Sequence, residues 1–418
     1  MKKNMVLILL SFFILLASTG PVRAGEMDIL IDKLVEKEIL TRAEATVLLE
    51  EMRKESEKEK EEIKTAAAGA VKDKIDVPNW AKNTTLKGDV RVRYQAQDTD
   101  NDGKPSRGRG RMRVRAGIES KVNDKWTAGI GMASGGDDPR SNNQTFDDTF
   151  DTKSWNLDYA YANYSPNTAV SIIAGKMKNP LYKTKDLIWD SDINPEGVAL
   201  KLNSKLSDNV KFFGTAAYFL MEEFSSSKKD PAFFALQPGI DLKISDSVSL
   251  KLAGAYYMFS NVKGSDLSVH TGGTNSTDVS GNWRYEYDSL ALDAELGINF
   301  GGAIPYGALF TQYIASDADS EDTGWMAGFK IGDKKIKNTG DWQFKFNYRE
   351  LEQDAWLDFW PDSDFYNGET GVKGSEFEFV IGLSKNVTFG LDYYRAEPIM
   401  GNTDREQSVL QVDLIVKF

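Results

Sequence analysis

The last residues of the chain alternate between apolar and polar side chains and end on an aromatic residue. From residue 410 to residue 418 every second position is apolar, namely Leu410, Val412, Leu414, Val416 and Phe418. Successive side chains of a β-strand point to opposite faces, so this run predicts a strand with one apolar and one mostly polar face. In a membrane β-barrel the last strand closes the barrel, and its outward face meets lipid. The run therefore favours a membrane barrel over a soluble sheet.

The first 24 residues have the pattern of a secretory signal. Lys2 and Lys3 precede an apolar stretch at 6–17, and residues 22–24 (Val-Arg-Ala) form a peptidase site. A transmembrane anchor is the alternative, but this apolar run is too short to span a bilayer comfortably. We expect export through the general secretory route, with cleavage after Ala24.

Composition excludes several classes of protein. The formal charge is -12, and loss of three positive charges with the signal takes it to -15, which argues against a nucleic-acid partner. The absence of cysteine excludes disulfides, thiolate metal sites and cysteine nucleophiles. The one histidine, His270, lies in a Gly/Ser/Thr-rich stretch, so a Ser–His nucleophile would depend on a single loop residue. We expect no enzyme and no cofactor.

Residues 25–78 differ from the rest of the chain. Apolar residues recur there at helical spacing, at Ile29, Leu30, Leu34, Ile39, Leu40, Ala45, Leu48, Leu49 and Met52. Thr41 and Glu44 form a capping box, and residues 53–64 are almost wholly charged. This pattern predicts a periplasmic helical spacer, with a coiled coil as the sharper alternative.

From Leu86 onward the period changes to two, which predicts β-strands to the end of the chain. Sixteen runs start near Leu86, Arg111, Lys125, Trp155, Val170, Val198, Val210, Phe234, Val248, Tyr287, Ile304, Trp325, Trp342, Phe377, Val387 and Gln407. An even number of this size suits an antiparallel barrel around an aqueous lumen. The predicted barrel covers residues 79–418.

The connections between the runs alternate in length, as they do in such barrels. Short turns fall at 123–124, 165–167, 245–247, 301–302 and 385–386, and long polar links at 96–109, 134–153, 176–196, 260–284 and 351–374. Aromatic residues that would anchor the barrel at the two membrane interfaces are Trp126, Trp342 and Phe418 near the turns, and Trp155 and Trp325 near the long links.

Four segments resemble the putative porins related to the phosphate-selective porins O and P. They are residues 34–44 (LVEKEILTRAE), 157–162 (LDYAYA), 175–180 (GKMKNP) leading into 188–197 (IWDSDINPEG), and Phe418. The resemblance implies a sixteen- or eighteen-stranded channel in the outer membrane of a Gram-negative cell. It also implies a homotrimer in contact with lipid and lipopolysaccharide.

The resemblance also implies that the third long link folds into the lumen and narrows it. Its charged residues would then form a constriction that selects ions: Lys176, Lys178, Lys183, Lys185, Asp186, Asp190, Asp192 and Glu196. A solvent-exposed capping loop is the alternative.

A second candidate is a basic wall on two adjoining strands. Arg91 and Arg93 share the polar face with Arg111, Arg113 and Arg115. Like charges opposite one another destabilise a sheet unless water or acidic groups compensate. We hypothesise that this wall guides phosphate or carboxylate anions, which suit guanidinium groups. The alternative is general lumen polarity without solute preference.

Two acidic segments have weaker signals. Asp98 to Gly103 has the opening of a calcium loop, but position twelve is Arg109 instead of Glu, so an exposed acidic turn is expected. A similar acidic cluster comprises Asp317, Asp319, Glu321 and Asp322. We predict no metal site.

The sequence therefore predicts an outer-membrane porin, a passive channel for ions and small hydrophilic solutes with a preference for anions. A non-conducting surface barrel is the first alternative, favoured by the Gly/Ser/Thr-rich link 260–284. A secreted carbohydrate-binding protein is the second, with Trp356, Trp360 and Tyr366 as its platform.

Overall fold

The computed structural model describes residues 41, 82–101, 103–226, 228–267, 272–401 and 403–418. The chain divides into two compact units, Met1–Pro78 and Asn79–Phe418, and the fold described below belongs to the second. The predicted signal, the predicted helices of residues 25–78 apart from Thr41, and His270 lie outside the described residues.

Seventeen strands of the described residues form one antiparallel sheet. They are β1 (Thr84–Thr99), β2 (Arg107–Lys121), β3 (Trp126–Ser134), β4 (Gln144–Thr145), β5 (Trp155–Asn167), β6 (Val170–Lys176), β7 (Glu196–Lys205), β8 (Val210–Leu220), β9 (Ala232–Lys243), β10 (Val248–Ser260), β11 (Ser289–Asn299), β12 (Tyr306–Ala315), β13 (Thr323–Gly332), β14 (Trp342–Leu351), β15 (Val372–Ser384), β16 (Val387–Pro398) and β17 (Gln407–Lys417). The described residues also include a 3₁₀ turn at Tyr366–Gly368, in the loop between β14 and β15.

Sixteen of these strands close into a barrel. Strand β4 has two residues and pairs only with β2, whereas each other strand pairs with a neighbour on both sides. The ring is completed by β1 and β17, which are in register from Asp89 opposite Lys417 to Thr99 opposite Gln407. Phe418 extends this seam, because its N–H and C=O each bond to Gly88 at 3.0 Å. The predicted all-β barrel of sixteen strands is confirmed.

The predicted strand starts lie close to the observed ones, and the largest shift is at β15. This strand starts at Val372, five positions before the predicted start at Phe377. Gly374 and Ser375 interrupt the apolar alternation there. The sequence pattern therefore does not predict the first five residues of β15.

The barrel is apolar outside and charged inside. On β1, Val92 is 48% exposed and Val90 is 37% exposed, while Arg91 and Arg93 between and beside them are buried. Further round the wall, Leu309 exposes 59% of its surface outward. An exposed apolar belt of this kind requires an apolar surrounding, since water would leave it unfavourably solvated.

No helix among the described residues is long and apolar enough to cross a bilayer.

Four long loops at one end of the barrel matter for the interior, and we number them L2 (135–154), L3 (177–195), L5 (261–288) and L7 (352–371). Buried apolar side chains from L3, L5 and L7 join inward-facing residues of the wall in one hydrophobic cluster. Toward the long loops, the lumen along β8–β12 is therefore filled by packed side chains. Lumen space remains beside β1, β2 and β15–β17, and toward the short turns along β7–β10.

The outward apolar face gives a direct stability prediction. Leu252 on β10 is level with Ala294, the middle residue of β11, and faces outward with 38% exposure. Leu252→Arg should lower the free energy of unfolding in lipid by roughly 2–4 kcal/mol, because a charge at mid-membrane depth loses its hydration. Urea unfolding in lipid vesicles measures this loss. The neighbouring Lys251→Arg, on the inward face, should change stability little, and equal losses in both variants would contradict the assignment of faces.

Candidate functional site

The first half of L3 is fixed along the inner wall of the barrel by side chains of successive strands. The hydroxyl of Thr215 on β8 donates to the carbonyl of Pro180 at 3.2 Å. The side chain of Gln237 on β9 accepts from the Tyr182 N–H and donates to its carbonyl, both at 2.7 Å. L3 therefore runs inside the lumen, across β8 and β9.

The second half of L3 crosses to the opposite wall. The ammonium of Lys185 lies 3.0 Å from Glu376 and 3.2 Å from Glu378, both on β15. Further along, Asp192 lies 3.2 Å from the guanidinium of Arg115 on β2. Because its hydrogen bonds reach β8 and β9 and its ion pairs reach β15 and β2 across the barrel, L3 divides the lumen into a part on the loop side and a part on the turn side.

An aromatic cluster joins L3 to L7. The rings of Trp189 and Trp360 stack with centroids 4.5 Å apart, and Trp356 meets Trp189 edge-on at 5.6 Å. The Asp190 N–H donates to the Trp360 carbonyl at 2.7 Å, and the Ser363 N–H donates to the Asp190 carboxylate at 2.9 Å. Aromatic pairs and satisfied backbone bonds of this kind hold the two loops together.

The carbohydrate platform considered from the sequence is wrong. Trp356 is 0% exposed, Trp360 8% and Tyr366 7%, so none of the three rings presents a face to solvent. Their clustering in sequence reflects a core formed by loops inside the barrel.

The Gly/Ser/Thr-rich loop L5 packs on L7 through two buried carboxylates. Asp358 accepts backbone N–H bonds from Gly273, Thr274 and Asn275 at 2.7, 2.6 and 3.0 Å. Asp354 accepts a bond from the Ser276 N–H at 2.8 Å. These bonds bring the described part of L5 onto L7.

The predicted basic wall exists, and acidic residues neutralise its turn-side half. Arg91 is opposite Arg113, and Arg93 is opposite Arg111. Arg93 binds Asp413 of β17 through two bonds of 2.7 Å.

The other acidic partners of the wall come from L7, β1 and L3. Asp364 of L7 lies 3.0 Å from Arg93. Asp89 lies 2.8 Å from both Arg113 and Arg115. The like charges of the two strands are thus separated by carboxylates, which removes most of the repulsion between them.

The loop-side half of the same wall is not neutralised. Arg111 donates to Gln95 at 2.9 Å and to Ser141 at 3.4 Å, both uncharged. Within the part of the chain that the structure describes, no carboxylate lies within 4 Å of Arg109 or Arg111. Both line a cavity of about 240 Å³ between β1, β2, L2 and L7. The lining holds Arg109, Arg111 and Arg140 against Asp138 and Asp364, so the cavity has an excess of one positive charge toward the long loops.

Between the basic wall and L3 lies a narrow cavity of about 200 Å³. Its basic side chains are Arg91, Arg93, Arg113, Arg140 and Lys185, and its acidic side chains are Asp186, Asp190, Asp192, Asp362, Asp364, Glu378, Asp392 and Asp413. We call this cavity the constriction. Charges of both signs face one another across it, which is the arrangement that sets ion selectivity in narrow pores.

The loop carboxylates of the constriction differ in their protonation. Burial would raise the pKa of Asp364, but Arg93 and Arg91 outweigh burial and lower its pKa to about 2. Burial raises the pKa of Asp362 to about 7, although Arg349 opposes the shift. The pKa of Asp190 is raised well above its usual value by burial and by nearby Asp192. Asp362 therefore changes charge near neutral pH, while Asp364 stays ionised.

The basic loop residue Lys185 stays charged. Burial alone would lower its pKa, but Glu376 and Glu378 raise the pKa well above its usual value. The pKa of Asp186 is lowered, because Lys183 and Lys185 outweigh the effect of burial.

Not all predicted loop residues reach the constriction. Lys176 ends β6 and Glu196 starts β7, where they form an ion pair of 2.8 Å. Lys176 shares the outward face of β6 with Ile172, and Glu196 shares the outward face of β7 with Val198. Their predicted position in the pore is therefore wrong. The loop is shorter at both ends than the sequence indicated.

Two other lysines of L3 have local roles. Lys183 donates at 2.6 Å to both Asp186 and the Trp189 carbonyl, which fixes the bend of L3. Lys178 lies 4.9 Å above the ring of Tyr159 and lines a cavity of about 570 Å³ on the turn side of the constriction.

The residues of L7 and L2 that line the constriction were not predicted from the sequence. Asp362 and Asp364 come from L7, and Arg140 from L2 donates to backbone carbonyls of Asp358 and Gly368. The sequence feature that could have predicted them is the acidic run 362–364 beside aromatic residues. Charged residues next to a buried aromatic cluster indicate a loop that folds back onto the core.

The predicted anchoring residues lie at the ends of their strands. Trp126 and Trp342 start β3 and β14 after turns, and Trp155 starts β5 after L2. Trp325 is the third residue of β13, and Phe418 follows β17. Trp126, Trp155, Trp325 and Phe418 are exposed by 45%, 45%, 40% and 52%. These positions fit two aromatic belts.

No group of three or more His, Asp or Glu side chains that could hold a metal ion occurs among the described residues. Arg109, which stands at position twelve counted from Asp98, where a calcium loop would need Glu, lies within strand β2.

A closed sixteen-stranded barrel with an apolar exterior, a charged lumen and a loop folded into that lumen is the architecture of a porin. The chain belongs to the family described as "putative porin", whose model matches residues 98–290 and 274–418. Family and fold are those of a channel rather than of an enzyme. No curated protein matches this chain in sequence.

Solved structures with a similar fold include Pseudomonas putida OprB, which is 12% identical with a TM-score of 0.54. That match covers 81% of this chain and 95% of OprB. A triple mutant of Rhodopseudomonas blastica porin is also 12% identical, with a TM-score of 0.44 over 80% of this chain and all of the other. At such identity the OprB likeness describes the fold alone.

The aromatic joint between L3 and L7 gives a second prediction. Trp189→Ala should lower the free energy of unfolding by about 3–5 kcal/mol, because a buried indole leaves a cavity among four aromatic rings. It should also make L3 more susceptible to protease. Denaturant unfolding and limited proteolysis in detergent measure both effects. Trp155→Ala, at an exposed position outside the cluster, is the control. Similar effects of the two variants would contradict the claim that the aromatic cluster holds L3 and L7 together.

Proposed function

We propose that this protein is a passive diffusion channel of the outer membrane for ions and small hydrophilic solutes. The observation that carries the proposal is the constriction, a charged passage between the basic wall and L3 that joins wider cavities on its two sides. Solutes would cross from the cavity beside Arg109 and Arg111, through the constriction, to the wide cavities on the turn side. Fixed charges along such a path set selectivity without any energy source.

The cellular setting is part of the proposal. The first 24 residues would direct export, residues 25–78 would stay in the periplasm, and the barrel would lie in the outer membrane of a Gram-negative cell. The outward apolar face would meet lipid and lipopolysaccharide, with the aromatic belts at the two interfaces. A homotrimer is the proposed assembly, and a closer relation to the phosphate-selective porins O and P stays a prediction.

The preference for anions is also proposed, and it rests on the loop-side half of the basic wall. Arg109 and Arg111 lack carboxylate partners among the described residues, so their charge acts on solutes that approach from the long loops. The constriction itself has mixed charge. Anion preference would therefore arise where solutes enter from the loop side and would be moderated by L3 and L7.

Planar-bilayer recording of the purified, detergent-folded protein tests the channel. Stepwise conductance in potassium chloride is expected. Folded barrels that insert into the bilayer but never conduct would refute the channel and favour a non-conducting surface barrel.

A charge variant tests the anion preference. Arg109→Gln with Arg111→Gln should lower the chloride-over-potassium permeability ratio by at least about twofold, because the uncompensated positive charge is lost. The reversal potential across a potassium chloride gradient measures the ratio. Lys243→Gln with Arg395→Gln removes two exposed cations that already pair with carboxylates, Asp246 and Glu406, and should leave the ratio unchanged. If both pairs of substitutions change the permeability ratio equally, the proposal is contradicted.

Asp362 predicts a pH dependence. Its pKa is raised to about 7, so it is ionised above and neutral below that pH. Lowering the pH from 8.5 to 5.5 removes a negative charge from the constriction and should shift the reversal potential toward the equilibrium potential of chloride. Asp362→Asn should abolish most of this shift. A shift of equal size in wild type and variant would show that another group is responsible.

A further inference from the structure

A second cavity of about 570 Å³ lies on the turn side of L3, away from the constriction and the basic wall. It is bounded by residues 179–182 of L3 and by strands β7 to β10. Its volume falls within the range of pockets that bind small molecules, about 300–1,000 Å³.

The cavity has an excess of positive charge. It is lined by four lysines and one carboxylate, namely Lys201, Lys205, Lys211, Lys251 and Asp241. Lys205 pairs with Asp208 in the adjoining turn at 2.6 Å. Among the described residues the other three lysines have no carboxylate within 4 Å, although Asp241 lies between Lys211 and Lys251 in register. Asp241, Glu295 and Asp293 act on Lys251 only from beyond 4 Å, and the net charge of the lining is positive, which attracts an anion.

An aromatic pair forms one wall beside these lysines. The rings of Tyr182 and Phe213 meet edge-on with centroids 5.7 Å apart. The ammonium of Lys251 lies 3.6 Å from the centre of the Tyr182 ring and 4.8 Å from that of Phe213. An anion bound to Lys251 would therefore lie directly beside two aromatic rings.

Both rings are held in position before any ligand binds. Two hydrogen bonds between the Tyr182 backbone and Gln237 fix Tyr182 on the wall. Phe213 lies directly on Gly239, because a Cβ added there would be 2.1 Å from the ring. A wall fixed in this way loses little entropy on binding.

The cavity also has an unused hydrogen-bond donor. The side-chain nitrogen of Asn179 is buried and has no hydrogen-bond partner among the described residues. Buried donors are normally satisfied, so an unpaired amide at a cavity wall indicates a place for an acceptor atom.

We infer that this cavity is a binding subsite for small aromatic carboxylates on the turn side of the channel. The carboxylate would accept bonds from Lys201, Lys251 and the Asn179 amide, and the ring would pack on Tyr182 and Phe213. Ammonium groups alone attract any anion, whereas the fixed aromatic wall favours one that carries a ring. The role of the subsite in transport rests on the proposed channel function, but the binding itself does not.

Calorimetric titration of the detergent-folded protein with benzoate, acetate and benzyl alcohol tests the inference. Benzoate should bind at least about tenfold more tightly than acetate, which lacks the ring, and than benzyl alcohol, which lacks the charge. Equal binding of benzoate and acetate would leave a plain anion site and would overturn the inference, as would the absence of benzoate binding.

Three variants locate the site. Tyr182→Leu should weaken benzoate about fivefold and leave acetate unchanged, while Tyr182→Phe should retain benzoate binding because the ring remains. Lys201→Met with Lys251→Met should weaken both anions at least about tenfold. Lys243→Met, whose lysine pairs with Asp246 outside the cavity, is the control and should change neither. Benzoate binding that survives both the Tyr182→Leu and the lysine substitutions would overturn the inference.

Conductance in potassium chloride separates this inference from the proposed function. Conducting barrels that do not bind benzoate would refute the subsite and leave the channel standing. Barrels that bind benzoate but never conduct would confirm the subsite and refute the channel.

Discussion

The hydrogen-bond ladder between β1 and β17 is the constraint on which the rest of the structure depends. An open sheet of this length would leave two edges with unpaired backbone groups, which are costly in an apolar surrounding. The eleven register pairs from Asp89–Lys417 to Thr99–Gln407, with Phe418 bonded to Gly88 beyond them, remove both edges. Closure also separates the two faces of every strand, so that one meets an apolar medium and the other a lumen.

The lumen is narrowed to a charged passage because loops fill most of it in a defined way. Apolar residues of L3, L5 and L7 pack against the β8–β12 side, and this packing pushes the charged residues of L3 toward the basic wall. The two sets of charges are linked by specific pairs, such as Asp192 with Arg115 and Lys185 with Glu376. The packing of the loop core therefore determines where the charged passage lies. Weakening the aromatic joint at Trp189 should therefore alter selectivity as well as stability.

The sequence predicted the barrel well because the period of two is strong on every strand and the polar lumen face contrasts with the apolar outer face. The arginines of β1 and β2 were identified for the same reason, since the alternation places them on the polar face of each strand. The acidic partners could not be identified in this way. Asp364 and Asp413 reach Arg93 across more than 270 residues of sequence, and that proximity depends on barrel closure and on the path of L7.

Loop ends were harder to predict than strands. Lys176 and Glu196 were placed in L3 because the sequence around them is polar, although each extends its strand by one more paired residue. Trp356 and Trp360 had the composition of an exposed binding surface and are instead the centre of a loop core. Composition alone cannot distinguish these two situations, because both need clustered aromatic residues.

Cysteine modification in an open channel tests the central claim, that L3 lies across the conducting path. The chain has no cysteine, so Ser191→Cys introduces a single thiol at an exposed position of L3 that lines the constriction. A charged thiosulfonate reagent should reduce the single-channel conductance stepwise in this variant, and should leave it unchanged in Ser280→Cys, an exposed position on L5. Complete labelling of Ser191→Cys, confirmed by mass, without any change in conductance would place the ion path elsewhere and contradict the account.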